Sequence, residues 1–192
     1  MKAPDTKNMT ALELPPVDPL PEDIRRYYEV CEEKLGMIPN VLAVYAFEPE
    51  RLRGFSAMYN ALMLGESELS KAEREMIAVV VSSLNHCYYC LVAHGATLRM
   101  LTQDPKLAEA IAANYRHADL TDRQRAMLDF TVKVTKASSD IVEADRQALR
   151  DAGFSDRAIM DIAEVAGFFN MSNRVSSAIA MKPNDDYHGM AR

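Results

Sequence analysis

Apolar residues recur every three or four positions along most of the chain, which is the spacing of one buried face of an α-helix. The strict alternation of apolar and polar residues that marks a half-buried strand is absent. Even the β-branched run at residues 79–81 lies inside a helical pattern. The pattern therefore predicts an all-α fold.

Prolines that suit a first turn and glycines that end a helix divide this pattern into separate helices. Two capping boxes, Ser70–Glu73 and Thr121–Gln124, each bring two side chains to the free backbone N–H groups of a helix start. The predicted helices span residues 21–36, 39–47, 49–64, 71–84, 87–101, 105–115, 122–137, 143–151 and 156–181.

The two ends of the chain lack the helical pattern. Five of the nine prolines lie in residues 1–21, and proline fixes φ and withholds a backbone donor, so this segment is predicted to be an extended N-terminal arm. Residues 182–192 are predicted to form a polar C-terminal tail. Residues 22–181 between them are long enough for one well-buried core, which we interpret as a single helical domain.

The two capping boxes belong to a faint internal repeat, which is weak support for a duplicated helical unit. Five residues align without gaps on five others: Leu69, Ser70, Arg74, Met76 and Ile77 on Leu120, Thr121, Arg125, Met127 and Leu128. Glu75 falls opposite Ala126. If the two halves are related, the chemistry belongs to the first half and the second is scaffold.

Composition and charge narrow the possible partners. The net charge is −6 and no block of Lys or Arg occurs, so the sequence offers no electrostatic footprint for nucleic acid. The longest nearly uncharged stretch, residues 76–92, is too polar to span a bilayer, and the N-terminus lacks the apolar run of a signal peptide. We therefore predict a cytoplasmic protein that binds neither nucleic acid nor membrane.

The cysteines suggest candidate chemistry. Three cysteines are too few, and too odd in number, for a secreted disulfide framework. Cys31, alone on an amphipathic helix, is predicted to be a packing residue. Cys87, Cys90 and His94 can share one helix face, because positions i, i+3 and i+7 stack over the same stripe. Glu75 could reach that stripe from the preceding helix.

Three interpretations of this group are open: a redox pair, a zinc site or passive packing. A thioredoxin site is excluded, because it requires a β-α-β setting. Zinc needs four ligands, which the group could supply, but structural zinc pairs usually lie on a tight turn rather than a helix. The positive end of a helix lowers the pKa of a thiol, so redox chemistry is preferred, with Cys87 nearer the helix start than Cys90.

The spacing Glu75-x11-Cys87-x2-Cys90-x3-His94 resembles the active-site signature of the alkylhydroperoxidase D (AhpD)/carboxymuconolactone decarboxylase superfamily. The segment Gly36-Met-Ile-Pro39-Asn40, the chain length and Asn173-Arg174 in the last helix are similar to its peroxidase-related branch. The resemblance covers most of the chain from about residue 20 onward. It implies an AhpD-like helical fold, assembly into homo-oligomers, and thiol-dependent reduction of hydroperoxides without a cofactor or metal.

The resemblance also implies residue roles. Cys90 becomes the peroxidatic thiol and Cys87 its resolving partner, while His94 and Glu75 form a proton relay. The implied partners are a hydroperoxide substrate and a reductant, either a dithiol protein or a small thiol. Alternative functions are a redox-sensing or zinc-binding module built from the same residues, or a cysteine-independent lyase of the decarboxylase branch, which the cysteine pair disfavours.

Two further residues are candidate auxiliaries of this site. The best-studied peroxidases of the superfamily have a histidine just before the second cysteine, where this chain has Tyr89. Here a histidine, His86, precedes the first cysteine instead. This departure leaves two alternatives open: a proton relay that is arranged differently from theirs, or a weak peroxidase activity.

Overall fold

The protein is described by a computed structural model that covers residues 4–192. Over that range it contains α-helices and no β-strand, so the predicted all-α fold is confirmed. The α-helices are α1 (Glu22–Leu35), α2 (Asn40–Tyr45), α3 (Pro49–Tyr59), α4 (Lys71–Leu84), α5 (Tyr88–Thr102), α6 (Pro105–Asn114), α7 (Asp122–Lys136), α8 (Glu143–Asp151), α9 (Asp156–Ala178) and α10 (Asp186–Gly189). A π-helix, Asn60–Leu64, continues α3, and short 3-10 helices lie at Tyr115–His117 and Ser138–Asp140.

The helix starts follow their caps. At α4 the hydroxyl of Ser70 accepts the backbone N–H of Glu73, and the Glu73 carboxylate accepts the backbone N–H of Ser70. Thr121 and Gln124 make the same reciprocal pair at α7, so both predicted capping boxes are confirmed. Gly36 ends α1 with φ 73°, a left-handed conformation that glycine adopts readily.

Two predicted helix ends differ from the structure. The last long helix, α9, ends at Ala178 instead of Met181 because the backbone turns left-handed at Ala180, with φ 51°, and the Met181 N–H returns to the carbonyl of Ser176. The helix predicted over 39–47 ends at Tyr45, and Glu48 is extended, as expected for a residue that precedes a proline.

Helix α4 is the centre of the fold. It packs against α5, α6, α7 and α9. The side chains of residues 76–81 on α4 are at most 2% exposed. A helix that is apolar on all sides must be surrounded by others, which explains why this β-branched run is helical.

The internal repeat seen in the sequence corresponds to a contact that both halves make in the structure. One arginine in the first turn of each capping-box helix donates to two backbone carbonyls of the preceding segment: Arg74 to Leu62 and Gly65 at 3.0 and 2.9 Å, and Arg125 to Arg116 and Ala118 at 3.4 and 3.5 Å. The two halves therefore share a way of joining one helix to the next. Arg74 is buried, whereas Arg125 is partly exposed.

The two ends of the chain lie together. The N–H of Ala11 donates to the carbonyl of Ile179, and the N–H of Lys182 donates to the carbonyl of Met9, both at 2.9 Å. Met9 and Ile179 pack against the apolar cluster that contains the cysteine pair. The described part of the N-terminal arm thus covers one side of the candidate site.

No helix within residues 4–192 has the length and apolar character needed to cross a bilayer.

Candidate functional site

The cysteine pair lies at the start of α5. Cys87 directly precedes the first helical residue and Cys90 lies in the first turn, and each residue is only 1% exposed. His86, with φ 53°, makes the tight turn that joins α4 to α5. The turn places Cys87 at the positive end of the α5 dipole, where a thiolate is stabilised. All the cysteines of the chain are free thiols in this structure.

The pKa of one thiol of the pair is lowered and that of the other is raised. Hydrogen bonding from the neighbouring Cys90 thiol is the main cause that lowers the pKa of Cys87, to about 6, although burial opposes this shift. Donating that bond, burial and the neighbouring negative charge together raise the pKa of Cys90 far above its usual range. The reduced pair therefore holds one proton and one negative charge near neutral pH, with the charge resting on Cys87.

His94 and Glu75 form a buried polar pair one helical turn from Cys90. Nδ1 of His94 lies 2.7 Å from Oε2 of Glu75, and their side chains are 12% and 5% exposed. The edge of Phe169 packs on the imidazole, with ring centroids 4.5 Å apart. The carboxylate thus fixes the ring and engages Nδ1, which leaves Nε2 as the nitrogen for proton exchange. The predicted approach of Glu75 to His94 is what the structure shows.

A cavity of about 490 Å³ opens beside these residues. Cys90, His94 and Glu75 all line it, whereas Cys87 does not. The cavity is wide enough for a small organic molecule and is lined mostly by apolar and aromatic side chains. Of the cysteine pair, Cys90 is therefore the sulfur that a molecule in the cavity would meet, and Cys87 lies behind it; Cys31 also lines the cavity.

The two candidate auxiliary residues have different surroundings. Tyr89 is buried, lines the cavity, and its hydroxyl accepts the backbone N–H of Val41 at 3.2 Å, which ties α5 to α2. His86 is exposed and does not line the cavity. The structure brings Tyr89 to the site and leaves His86 outside it.

Helix α9 contributes polar groups that the sequence analysis missed. Sγ of Cys90 lies 4.0 Å from Oγ of Ser176, and the Asn173 amide donates to the Ser82 hydroxyl at 3.1 Å. Both α9 side chains act to lower the pKa of Cys90, although they do not outweigh the effects that raise it. Small polar residues on an otherwise apolar helix face were the available signal, but nothing in the sequence says which cysteine they face.

Tyr187 is the second omission, because it lies in the segment predicted to be a polar tail. It is buried on the short helix α10 and lines the cavity. The guanidinium of Arg99 on α5 donates to the carbonyls of Tyr187 and Met190, both at 2.9 Å, and so holds this segment against the site. A lone aromatic residue among charged ones was the signal that something in the tail packs inward.

The chemistry available here is that of a thiol pair and a proton carrier. Within residues 4–192, no three side chains of His, Cys, Asp or Glu converge closely enough to bind a metal ion. The arrangement offers a sulfur nucleophile in a cavity, a second sulfur behind it, and an imidazole held by a carboxylate.

Comparisons with known proteins agree with the sequence signature. The model of the carboxymuconolactone decarboxylase family matches residues 49–114, a region that includes all four signature residues. A peroxidase-related protein of uncharacterized function from Silicibacter sp. TM1040 is 63% identical over 96% of this chain and 97% of its own, with a TM-score of 0.94. A second such protein, with an alkylhydroperoxidase AhpD core, from Ralstonia eutropha JMP134, is 46% identical over 96% and 97%, with a TM-score of 0.92.

More distant matches show the fold alone. The debrominase Bmp8 is 16% identical over 88% of this chain and 90% of its own, with a TM-score of 0.75. No functionally curated protein matches the chain. The two near-complete matches at 46% and 63% identity decide the family, and they confirm the resemblance drawn from the signature. The chain belongs to the alkylhydroperoxidase D/carboxymuconolactone decarboxylase superfamily, in its peroxidase-related branch.

Proposed function

We propose that the protein reduces hydroperoxides and that Cys87 and Cys90 are its redox centre. The observation that carries the proposal is the position of Cys90: it lines the cavity beside the His94–Glu75 pair and has Cys87 directly behind it. A nucleophile, a proton carrier and a second thiol are the three groups that thiol-dependent peroxide reduction requires. Membership in a peroxidase-related branch supports the same chemistry.

The first step is attack on the peroxide. The negative charge of the pair rests mainly on Cys87, but a proton that passes from Cys90 to Cys87 makes Cys90 the thiolate. The Cys90 sulfur then bonds to the terminal oxygen of the hydroperoxide as the O–O bond breaks, giving a sulfenic acid and an alkoxide. The alkoxide takes a proton from His94, which Glu75 holds in place, and leaves as the alcohol.

In the second step the two cysteines form a disulfide. The Cys87 sulfur attacks the sulfenic sulfur, an S–S bond forms as the S–O bond breaks, and hydroxide leaves with the Cys87 proton as water. A dithiol reductant then returns two electrons and two protons, one of which restores His94. The zinc-binding and cysteine-independent lyase alternatives have no comparable observation in their favour.

Steady-state turnover with three proteins tests this proposal. Wild type, Cys90→Ser and Cys87→Ser are given cumene hydroperoxide and dithiothreitol, and loss of peroxide is measured. We expect wild type to turn over, Cys90→Ser to fall to the uncatalysed rate, and Cys87→Ser to turn over slowly because its sulfenic acid lacks a resolving thiol. Full turnover by Cys90→Ser would overturn the proposal. Oxidation of wild type by one equivalent without any turnover would point to a redox sensor instead.

A further inference from the structure

The cavity beside Cys90 has two chemically different ends. Its reactive end is buried, since Cys90 is 1% exposed and the Glu75 side chain 5%. Its other end reaches the surface at Leu35, Leu64 and Leu101, which are exposed apolar side chains that also line the cavity. A molecule that reacts at Cys90 must therefore place its peroxide group deep inside and extend an apolar body toward the opening.

The size of the cavity bears on the size of that molecule. One water molecule occupies about 30 Å³ in the liquid, so hydrogen peroxide would fill only a small part of a cavity of about 490 Å³. The remaining space would have to hold water against apolar walls, which is unfavourable. A large apolar substrate would displace that water and gain binding free energy from each buried methylene.

Two exposed lysines are among the residues that line the cavity. Lys34, in the last turn of α1, and Lys71, at the first residue of α4, are exposed and line the cavity. Among the residues that the structure describes, neither lysine has a carboxylate within 4.0 Å. Glu75, one turn after Lys71 on α4, is instead bonded to His94. In a chain of net charge −6, two exposed cations that line one cavity and have no carboxylate partner favour an anionic ligand there.

We propose that the substrate is the hydroperoxide of a long-chain fatty acid. Its carboxylate would lie at Lys34 and Lys71, its acyl chain would fill the apolar part of the cavity, and its hydroperoxide group would meet Cys90. This inference rests on the proposed function and names the substrate class of the same site. The products are the hydroxy fatty acid and water, formed by the two steps given above.

Substrate preference tests the inference. Turnover is measured with hydrogen peroxide, cumene hydroperoxide, linoleic acid hydroperoxide and the methyl ester of the last. We expect kcat/KM for the fatty-acid hydroperoxide to exceed that for hydrogen peroxide by about 100-fold or more, because each buried methylene contributes roughly fourfold. The acid should exceed its ester by about tenfold, the effect of two partly exposed ion pairs. Equal values for all four peroxides would overturn the inference and leave the proposed function standing.

Charge variants test where the carboxylate lies. In Lys34→Ala/Lys71→Ala the KM for the acid should rise about tenfold to the level of the ester, so that the preference for the acid over the ester disappears. The matched control is Lys106→Ala/Lys136→Ala, which removes the same charge from exposed lysines outside the cavity and should change neither substrate. A preference for the acid that survives loss of Lys34 and Lys71 would overturn the placement.

A binding measurement separates this inference from the proposed function. Displacement of a fluorescent fatty acid by unoxidised linoleic acid needs no turnover, so it reports on the cavity even in Cys90→Ser. We expect saturable displacement by wild type and Cys90→Ser, about tenfold weaker in Lys34→Ala/Lys71→Ala. Binding without turnover of any peroxide would overturn the proposed function and with it the hydroperoxide substrate, leaving only a fatty-acid binding site, whereas turnover of cumene hydroperoxide without binding would overturn the inference alone.

Discussion

Helices α4 and α7 begin alike, but α4 carries a buried carboxylate where α7 carries an alanine. Both start with a reciprocal capping box, and both carry an arginine that closes the preceding segment, Arg74 or Arg125. The next residue is Glu75 in α4 and Ala126 in α7. Ala126 packs against the main core, whereas Glu75 is buried and bonded to His94.

The features that the two helices share contribute to stability, whereas the position at which Glu75 replaces alanine bears on the proposed function. A capping box lowers the free energy of a helix start wherever it occurs, so it says nothing about chemistry. A buried carboxylate, by contrast, is costly unless it is hydrogen-bonded, and no helix needs one for its own stability. Glu75 is thus the position at which the first half departs from scaffold, and each prediction below tests that contrast.

The largest effect on activity is expected when Glu75 is replaced by alanine, the residue at the equivalent position of the second half. Glu75→Ala should lower kcat for hydroperoxide reduction by about 10²- to 10⁴-fold, the usual contribution of a positioned proton carrier. Turnover of wild type, Glu75→Ala, His94→Ala and the double variant measures this. Because the two residues act as a unit, the double variant should lose no more than His94→Ala alone. Losses that multiply in the double variant would contradict a shared role.

The two arginines should differ in stability. Arg74→Ala leaves two carbonyls without their donor in a buried place and should lower the free energy of unfolding by about 2–3 kcal/mol. Arg125→Ala removes longer contacts from a partly exposed site and should cost under about 1 kcal/mol. Urea unfolding measures both. Only Arg74→Ala should also raise KM, since the π-helix that it closes lines the cavity. Equal costs would contradict the contrast.

The acidity of the cysteine pair gives the next effect. The pKa of Cys87 is about 6, so the pair loses its negative charge as the pH falls below that value. Oxidation by cumene hydroperoxide should be about tenfold slower at pH 5 than at pH 7.5, since the thiolate is the reacting form. Stopped-flow measurement of disulfide formation checks this. The internal reference is Cys31, whose pKa is raised by burial and whose alkylation should increase only at a higher pH than the oxidation of the pair. A flat profile for the pair between pH 5 and 7.5 would contradict the assignment.

The smallest effect on stability is expected from the helix caps, which both halves of the chain have. Ser70→Ala and Thr121→Ala each remove one cap and should lower the free energy of unfolding by about 1 kcal/mol. Neither should change kcat, because the caps lie at helix starts away from the sulfurs. Thermal unfolding and turnover of both variants check this. Loss of activity from Ser70→Ala alone, at unchanged stability, would show that the cap of α4 also serves the site.

Local signals predicted most of the fold. Helix starts are set by residues within four positions of each other, so the caps of α4 and α7 were readable from the sequence. The spacing showed that Glu75 could reach the stripe of Cys87, Cys90 and His94, whereas its pairing with His94 was implied by the family resemblance. The helix start likewise favoured Cys87 as the more acidic thiol, in agreement with its lowered pKa.

Contacts between distant segments could not be predicted in the same way. Tyr187 and Ser176 reach the site only because the C-terminal segment folds back onto α5 and α9 packs behind it. Access to the cavity also depends on the whole fold, which is why Cys90 lines it and Cys87 does not. Homo-oligomer assembly, a cytoplasmic location and a dithiol reductant stay predictions.

Mapping of oxidised sulfur atoms shows directly whether Cys90 is the sulfur that peroxide attacks. Wild type, Cys87→Ser and Cys90→Ser are treated with one equivalent of cumene hydroperoxide, trapped with dimedone, digested and analysed by mass spectrometry. We expect a Cys87–Cys90 disulfide in wild type and a sulfenic acid adduct at Cys90 in Cys87→Ser. Sulfenic acid at Cys87 alone would reverse the order of attack. Oxidation at neither cysteine of the pair, or only at Cys31, would contradict the account.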